Sequence, residues 1–291
     1  MSERAIASEP PERSGASGSP RATAQGGSGD EVPRHRLDLA LETKGLRKQF
    51  GDLVAVDGID LAVPGGSFYG FLGPNGAGKS TTIKCLTGLL QPSGGSCRIL
   101  GIDPLADPVA VKRKVGVVPE DLALFDRLSG AETLAFVGQV HGLDAASVRQ
   151  RSSELLTLMD LNGAASDLVT DYSHGMRKKL ALAAALLPAP RLLFLDEPFE
   201  GIDAVASRQI KNLLTAFVRN GGTIFLTSHI LEIVERLCDH IGVIHKGRLV
   251  AQGRLADLRR NVAAGHTLEE LFLDLIGAER AAAPALEWLG R

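Results

Sequence analysis

A glycine-rich stretch at positions 73–81 carries the residues best suited to phosphate chemistry. It reads GPNGAGKST and fits the pattern G-x-x-x-x-G-K-S/T, with Gly73, Gly78, Lys79 and Ser80 at the fixed positions. Glycines let the backbone curl so that successive N–H groups point at phosphate oxygens, and a helix that follows adds the positive end of its dipole. The lysine reaches the β- and γ-phosphates while the serine hydroxyl ligates Mg²⁺. The pattern therefore predicts a site for a nucleoside triphosphate and magnesium.

Two carboxylates follow an apolar run in the segment RLLFLDEP at positions 191–198. In phosphate-loop enzymes a buried strand that ends in Asp delivers this carboxylate to the magnesium ion, so Asp196 is a predicted metal ligand. Glu197 lies one residue further and is predicted to orient or deprotonate the water that attacks the γ-phosphate. Acids after an apolar run are common at strand ends, and the phosphate loop upstream makes the interpretation specific.

A histidine, His229, ends another apolar run, TIFLTSH at positions 223–229. A lone histidine is more often structural, but the strand ends of an α/β sheet are where a nucleotide binds. The position therefore favours contact between His229 and the γ-phosphate.

The segment YSHGMRKKLALAAALL predicts a strong helix with Ser173 as its N-cap. Arg177, Lys178 and Lys179 crowd its first turns, where the helix dipole disfavours cations. Either these cations form a solvated face, or the helix N-terminus faces a polyphosphate whose charge outweighs the dipole.

Several elements must position these groups. The phosphate loop lies between a predicted buried strand, SFYGFL, and a predicted helix, TTIKCLTGLL. Upstream, two strands joined at Gly51-Asp52 are predicted to form an antiparallel flap, on which Phe50 is either a core aromatic or a platform for a base. Residues 121–171 have a helical pattern, with Asp144 as a helix N-cap, and are predicted to form a separate lobe. After two closing strands, an amphipathic helix at 268–276 is expected to pack on the fold or on a second copy.

The composition sets limits on function. The 291 residues are 44% hydrophobic and 23% charged, as in soluble globular proteins, and the formal net charge of −2 argues against a nucleic-acid partner. Three widely spaced cysteines fit a reducing compartment. No stretch approaches the roughly 18 apolar residues of a membrane span, and no secretion signal is recognised, so we expect a protein that is soluble or held at a membrane by a partner. Residues 1–36 are predicted to be a disordered extension, either solubilising or regulatory.

Taken together, these segments resemble the nucleotide-binding subunit of an ABC transporter, from about Leu39 to Gly253. GPNGAGKST is similar to the Walker A loop, LLFLDEP to Walker B with its catalytic glutamate, Gly201-Ile202-Asp203 to the D-loop, and residues 172–176 to the signature sequence. The resemblance implies that Lys79, Glu197 and His229 take part in catalysis and that Ser80, Glu120 and Asp196 hold Mg²⁺. It implies that ATP is bound by Phe50, Gly73, Pro74, Asn75, Gly76, Ala77, Gly78, Lys79, Ser80, Thr81, Ser173, Gly175 and Asp203.

In that family two cassettes pack head to tail, so the resemblance implies that Ser173 and Gly175 contact the ATP of a partner copy. Three positions depart from the family pattern. The signature reads Y-S-H-G-M, with His174 for the first glycine and Met176 for the glutamine, and Glu120 stands for the usual Q-loop glutamine. A carboxylate there still ligates Mg²⁺ but places extra negative charge near the triphosphate. These departures, together with the Gly-Met-basic run and the late TLEELFLDLIG helix, resemble a branch of bacterial exporter ATPases encoded apart from their membrane subunits. Glu200, before the D-loop, is a fourth departure from the family pattern.

The resemblance implies an α/β phosphate-loop cassette with a mainly parallel core sheet, an antiparallel β flap and an inserted helical lobe. Its expected bounds are 37–253, with the lobe at about 121–180 and a helical extension at 254–291. The expected function is an ATPase subunit that dimerises around two MgATP and drives a separate polytopic membrane subunit in export, from the cytoplasmic face of the membrane. A soluble ABC ATPase acting on a non-membrane partner and a non-hydrolysing interaction module are the alternatives.

Overall fold

The computed structural model describes residues 39–260 and 268–277. The predicted extension at 1–36 lies outside these residues, as do 278–291. The strands are β1 (Leu39–Phe50), β2 (Leu53–Ile59), β3 (Ala62–Pro64), β4 (Phe68–Leu72), β5 (Gly94–Ile99), β6 (Val115–Val118), β7 (Leu192–Asp196), β8 (Thr223–Ser228), β9 (His240–His245) and β10 (Arg248–Arg254). The α-helices are α1 (Lys79–Leu86), α2 (Pro108–Lys112), α3 (Gly130–Val140), α4 (Ala145–Leu158), α5 (His174–Leu186), α6 (Ala204–Arg219), α7 (Leu231–Leu237), α8 (Leu255–Arg260) and α9 (Leu268–Ile276).

A six-stranded sheet forms the core, in the order β10-β9-β4-β8-β7-β6. All neighbours in it are parallel except β9 and β10. Every residue of β4, β7 and β8 is buried, as expected for parallel strands covered on both faces. Because these three strands run in the same direction, their carboxyl ends meet at one edge, and the phosphate loop, the two acids and His229 follow at that edge. The predicted fold class is confirmed.

A second, smaller sheet is antiparallel and has β1 at its centre, paired with β2, β3 and β5. The turn between β1 and β2 lies at Gly51 and Asp52, so that Phe50 pairs with Leu53. Gly51 has a φ of 55°, a left-handed conformation that glycine adopts without strain. This turn places Phe50 at the end of a rigid hairpin.

The helical segment begins later than its sequence pattern predicts. Residues 121–129 are not helical, because the start is set by a capping box in which Ser129 Oγ accepts a hydrogen bond from the Glu132 N–H and the Glu132 carboxylate accepts one from the Ser129 N–H. The turn before it is held by the N–H of Leu128 donating to Phe125 O. Asp144 caps α4 as predicted. This helix ends at Leu158, so the predicted helical segment is not continuous to residue 171.

The last described helix packs on the fold itself. Leu268 and Leu271 of α9 are buried, and Phe272 and Leu275 lie against the same core cluster as Ile241 of β9. Of the two predicted alternatives, packing on the fold and packing on a second copy, the structure shows the first. Within 39–260 and 268–277, no helix combines the length and apolar character needed to cross a bilayer.

Candidate active site

The phosphate loop joins β4 to α1 and fits closely against its neighbours. A Cβ at Gly73 would lie 2.4 Å from Ile244 O, and a Cβ at Gly78 would lie 2.4 Å from Ala55 O. Gly78 also has a φ of 108°, a conformation that side-chain-bearing residues rarely adopt. Only glycine therefore fits at these positions, and the loop is fixed at the start of α1, where the free N–H groups and the helix dipole favour an anion.

Lys79 is buried in this loop. Its Nζ donates hydrogen bonds to Gly73 O at 2.9 Å and Pro74 O at 3.4 Å, and it lies 3.3 Å from Glu197 Oε1. The structure thus brings the predicted phosphate-binding cation and the predicted catalytic carboxylate into direct contact.

Glu197 contacts both Lys79 and His229. Its second carboxylate oxygen, Oε2, is 3.1 Å from Nδ1 of His229, and its side chain is only 6% exposed. The backbone φ of Glu197 is 47°, a left-handed conformation that is strained for a residue with a side chain. Strain of this kind is typical of functional turns, and here it turns the carboxylate toward the phosphate loop.

Asp196 is held by a residue that sequence reasoning did not single out. Thr227 Oγ1 donates a hydrogen bond to Asp196 Oδ1 at 2.5 Å and accepts one from the Glu197 N–H at 3.1 Å. Thr227 lies opposite Asp196 in the register of β7 and β8. One hydroxyl therefore orients both acids. The signal was a threonine at the end of an apolar strand, which becomes informative only when the strand order is known.

The predicted metal ligands are compatible with magnesium. Ser80 Oγ donates a hydrogen bond to Glu120 Oε2 at 3.4 Å, while Asp196 is 3% exposed at the end of β7. Among the described residues no group of three His, Cys, Asp or Glu side chains has the spacing of a metal site made by protein alone. Mg²⁺ keeps several waters and is held by one or two carboxylates plus substrate phosphates, so this sparse donor set fits it.

These groups surround one cleft of about 370 Å³. Phe50 lies in its wall with 44% of its surface exposed, and Lys48 Nζ lies 4.8 Å from the ring centroid. Of the two alternatives predicted for Phe50, the exposed ring excludes a core aromatic and is compatible with a platform for a base. The cleft is lined by Phe50, Leu53, Ala55, Asn75, Gly76, Gly78, Lys79, Ser80, Thr81, Glu120, Glu197, Glu200 and His229.

Seven predicted site residues lie outside this lining. Gly73, Pro74 and Ala77 belong to the phosphate loop and Asp196 to the end of β7, whereas Ser173, Gly175 and Asp203 lie on other elements. Ser173 caps α5, its Oγ accepting a hydrogen bond from the Met176 N–H at 3.2 Å. Asp203 caps α6, and its pKa lies below the ordinary value chiefly because it accepts a hydrogen bond from the Ala206 N–H. A Cβ at Gly175 would lie 4.0 Å from Asp203 Oδ2, so these residues form a second cluster in the same chain.

Neither predicted alternative, a solvated face or a helix end that faces a polyphosphate, accounts for all three cations at 177–179. Arg177 pairs with Asp126 at 2.8 Å and donates to Val169 O, so it anchors α5 within the helical segment. Lys178 and Lys179 are buried instead of solvated. The buried Lys178 was missed as a possible functional residue because the run looked like a charged surface.

A phosphate loop after β4 of a parallel sheet, with two carboxylates at the end of β7 and β8 between the two strands, defines a phosphate-loop nucleoside triphosphatase. Comparison with known proteins narrows this class. The model of the family described as ABC transporter matches residues 56–200. The daunorubicin/doxorubicin resistance ATP-binding protein DrrA of Streptomyces peucetius is 41% identical over 225 residues, which cover 77% of this chain and 68% of that protein. The Nod factor export ATP-binding protein I of Cupriavidus pinatubonensis is 41% identical over 228 residues, covering 78% and 70%.

Solved structures agree with the sequence relatives. An ATP-binding subunit of an ABC transporter superposes with a TM-score of 0.77 and 33% identity, covering 81% of this chain and 99% of that one. A dimeric ATP-binding cassette in a post-hydrolysis state with ADP and phosphate superposes with a TM-score of 0.68 at 23% identity, which supports the fold alone, over 74% and 98% of the two chains. The chain belongs to the ATP-binding subunits of ABC transporters. It is accordingly an ATPase, and no finding favours the soluble ABC ATPase.

Proposed function

We propose that two copies of this chain, or this chain and a related cassette, enclose two MgATP and hydrolyse them to drive a separately encoded polytopic membrane subunit in export. The observation that carries the proposal is the contact of Glu197 with both Lys79 and His229 in the wall of one cleft. In the proposed mechanism Lys79 binds the phosphates, Glu197 is the base for water and His229 contacts the γ-phosphate.

The predicted site residues of this chain have the following proposed roles. The loop from Gly73 to Thr81 cradles the phosphates, and Lys79 pairs with their charge. Phe50 stacks on the adenine. Mg²⁺, when bound, offsets the charge of the phosphates, and Ser80, Glu120 and Asp196 are the residues that would hold it. Glu197 accepts the proton of the attacking water, and His229, 3.1 Å away, orients both the carboxylate and the γ-phosphate.

The second copy supplies the rest of the site. Ser173 is exposed at the N-terminus of the 13-residue helix α5, next to Gly175 and the capping carboxylate of Asp203, and none of these lines the cleft of its own chain. An exposed helix N-terminus that carries a hydroxyl suits a triphosphate bound to another molecule. The head-to-tail dimer of the family brings this end of α5 to the partner's ATP.

The proposed membrane partner docks in an apolar groove of about 400 Å³ beside the ATP cleft. The groove is lined by Leu122, Leu124 and Val137 among others, and the exposed rings of Phe125 and Phe136 meet edge to face at 5.1 Å. Its wall includes Pro119, next to Glu120 of the ATP cleft, so that a docked segment lies one residue from the metal site. The proposed location is the cytoplasmic face of the cell membrane, with the chain peripheral to the bilayer.

We propose export because the names of similar proteins refer to export or to drug resistance. Two of them are daunorubicin/doxorubicin resistance and Nod factor export ATP-binding proteins, and a third, from Bacillus subtilis, is a linearmycin resistance ATP-binding protein with 36% identity over 75% of this chain and 70% of that protein. The names of these proteins share export of a compound or resistance to one.

The test is to tag the full chain in its native cell, solubilise the membranes gently and identify what co-purifies. A stoichiometric polytopic membrane protein is expected. Phe125→Asp should abolish its recovery while leaving ATP affinity intact, and the matched control Leu158→Asp, at an equally exposed leucine on α4 (both 54%), should not. Recovery of soluble partners alone, with the chain absent from the membrane fraction, would contradict the proposal.

A further inference from the structure

Lys178 is a buried lysine whose ammonium ends at the turn that carries Glu197. The residue lies on α5 and is 5% exposed. Its Nζ donates hydrogen bonds to Glu197 O at 3.0 Å and to Glu200 O. The Glu200 N–H donates back to Glu197 O at 3.3 Å. One side chain from α5 thus holds both ends of the four-residue turn that begins with the proposed base.

Burial and nearby carboxylates act in opposite directions on the charge of Lys178. Burial lowers the pKa of Lys178, and the carboxylates of Glu200, Glu197 and Glu120 act against that shift. Glu120 stands for the usual glutamine of the family, and Glu200 lines the same cleft. Both of these acids are exposed, whereas Lys178 is buried. A buried ammonium is costly unless it is hydrogen-bonded, and the main-chain oxygens of Glu197 and Glu200 satisfy this one.

We propose that Lys178 is a positioning residue for ATP hydrolysis, which fixes the strained turn of Glu197 by bonding the main-chain oxygens of Glu197 and Glu200. The proposal rests on the role of Glu197 as the base for the attacking water. Ser173 caps the same helix, α5. The contact of Lys178 with the Glu197 turn therefore connects the helix end proposed to meet the partner's ATP with the carboxylate proposed as the base. Lys178 is not among the residues that line the cleft, so its proposed action is through Glu197.

The test is the steady-state ATPase of the full-length chain, with rates expressed per ATP-binding molecule so that a partly unfolded sample does not count as inactive. Lys178→Met removes the charge and both hydrogen bonds. We expect kcat to fall by about ten- to a hundredfold, the usual cost of a misplaced catalytic group, while the KM for ATP changes by less than about threefold. Lys178→Gln keeps a donor for one carbonyl and should recover part of the loss.

Arg151→Met is the matched control. Arg151 Nη1 donates to Leu187 O at 2.9 Å, so it too is a cation bound to a main-chain carbonyl, but at the far end of α5. This variant should lower the unfolding temperature and leave kcat unchanged. Equal losses of kcat in the Lys178 and Arg151 variants would overturn the proposal, because they would reflect general destabilisation of α5. An unchanged kcat in Lys178→Met would overturn it as well.

A double variant separates this proposal from the proposed function. If Lys178 acts through Glu197, Lys178→Met should add little to the loss caused by Glu197→Gln, whereas independent effects would multiply. If Glu197→Gln alone leaves hydrolysis intact, the assigned mechanism fails and the role of Lys178 fails with it. If Glu197→Gln is inactive while Lys178→Met is fully active, only the role of Lys178 is wrong.

Discussion

The ammonium of Lys79 lies 3.3 Å from Oε1 of Glu197, and both side chains are only 6% exposed. The lysine proposed to bind the phosphates is thus paired with the carboxylate proposed to activate water. A bound triphosphate brings more negative charge to Lys79 than one carboxylate does, so nucleotide and Glu197 compete for it. On the proposed mechanism, release of Oε1 would leave Glu197 in contact with His229 and free to accept a proton. The pair would thus link the arrival of ATP to the readiness of the proposed base.

Replacement of Glu120, the carboxylate at the Q-loop position, tests whether its negative charge weakens ATP binding. Glu120→Gln should lower the KM for MgATP by about fivefold, because a unit charge about 4 Å away in a solvated cleft is worth about 1 kcal/mol. The amide oxygen remains able to ligate Mg²⁺, so kcat should change little. ATP titrations at fixed free Mg²⁺ measure the effect, with Glu154→Gln on the exposed face of α4 as control. An unchanged or raised KM would show that the carboxylate does not repel the nucleotide.

Removal of the flap aromatic tests base stacking. Phe50→Ala should raise the KM for ATP by about tenfold or more, since stacking of one base on an aromatic ring is worth about 1–3 kcal/mol. The kcat at saturating ATP should stay within about twofold, because Phe50 contacts no reacting atom. The control is Phe136→Ala, which removes a ring of similar exposure (42% against 44%) on α3. Equal KM values for the two variants would place the adenine elsewhere.

The helix end at Ser173 tests whether the site is shared between copies. Ser173→Arg should abolish hydrolysis yet leave the ATP affinity of the isolated chain nearly unchanged, because this serine is proposed to meet the ATP of the partner. Isothermal titration of the monomer and ATPase assays measure the two quantities. Ser153→Arg, at an exposed serine of α4, is the control for the added charge. A large loss of affinity in monomeric Ser173→Arg would mean that Ser173 acts within its own chain.

The sequence predicted the core sheet well because each buried strand is a short apolar run that ends in a recognisable polar group. The order Gly73–Thr81, Asp196-Glu197 and His229 was enough to place three strand ends at one edge, given the rules for parallel sheets. The helical segment was less predictable. Its start at Gly130 depends on a reciprocal pair of hydrogen bonds at Ser129 and Glu132, which an apolar pattern does not reveal.

The supporting residues of the site could not be predicted in the same way. Thr227 orients Asp196 because β7 and β8 are neighbours in the sheet, although 31 residues separate the two in sequence. Lys178 lies in a run of three cations, and only packing of α5 against the turn after β7 distinguishes it from Arg177. Such roles depend on tertiary contacts between elements whose relative placement no local pattern encodes.

ATP hydrolysis by Glu197→Gln tests the central claim most directly. The change is isosteric and removes only the base, so it should lower kcat at saturating MgATP by about 10²–10⁴. ATP should bind at least as tightly as to the unmodified chain, because Lys79 loses its competing carboxylate. Glu154→Gln again serves as the control. Hydrolysis that survives Glu197→Gln undiminished would contradict the account, whereas loss of turnover with ATP still bound is the result it predicts.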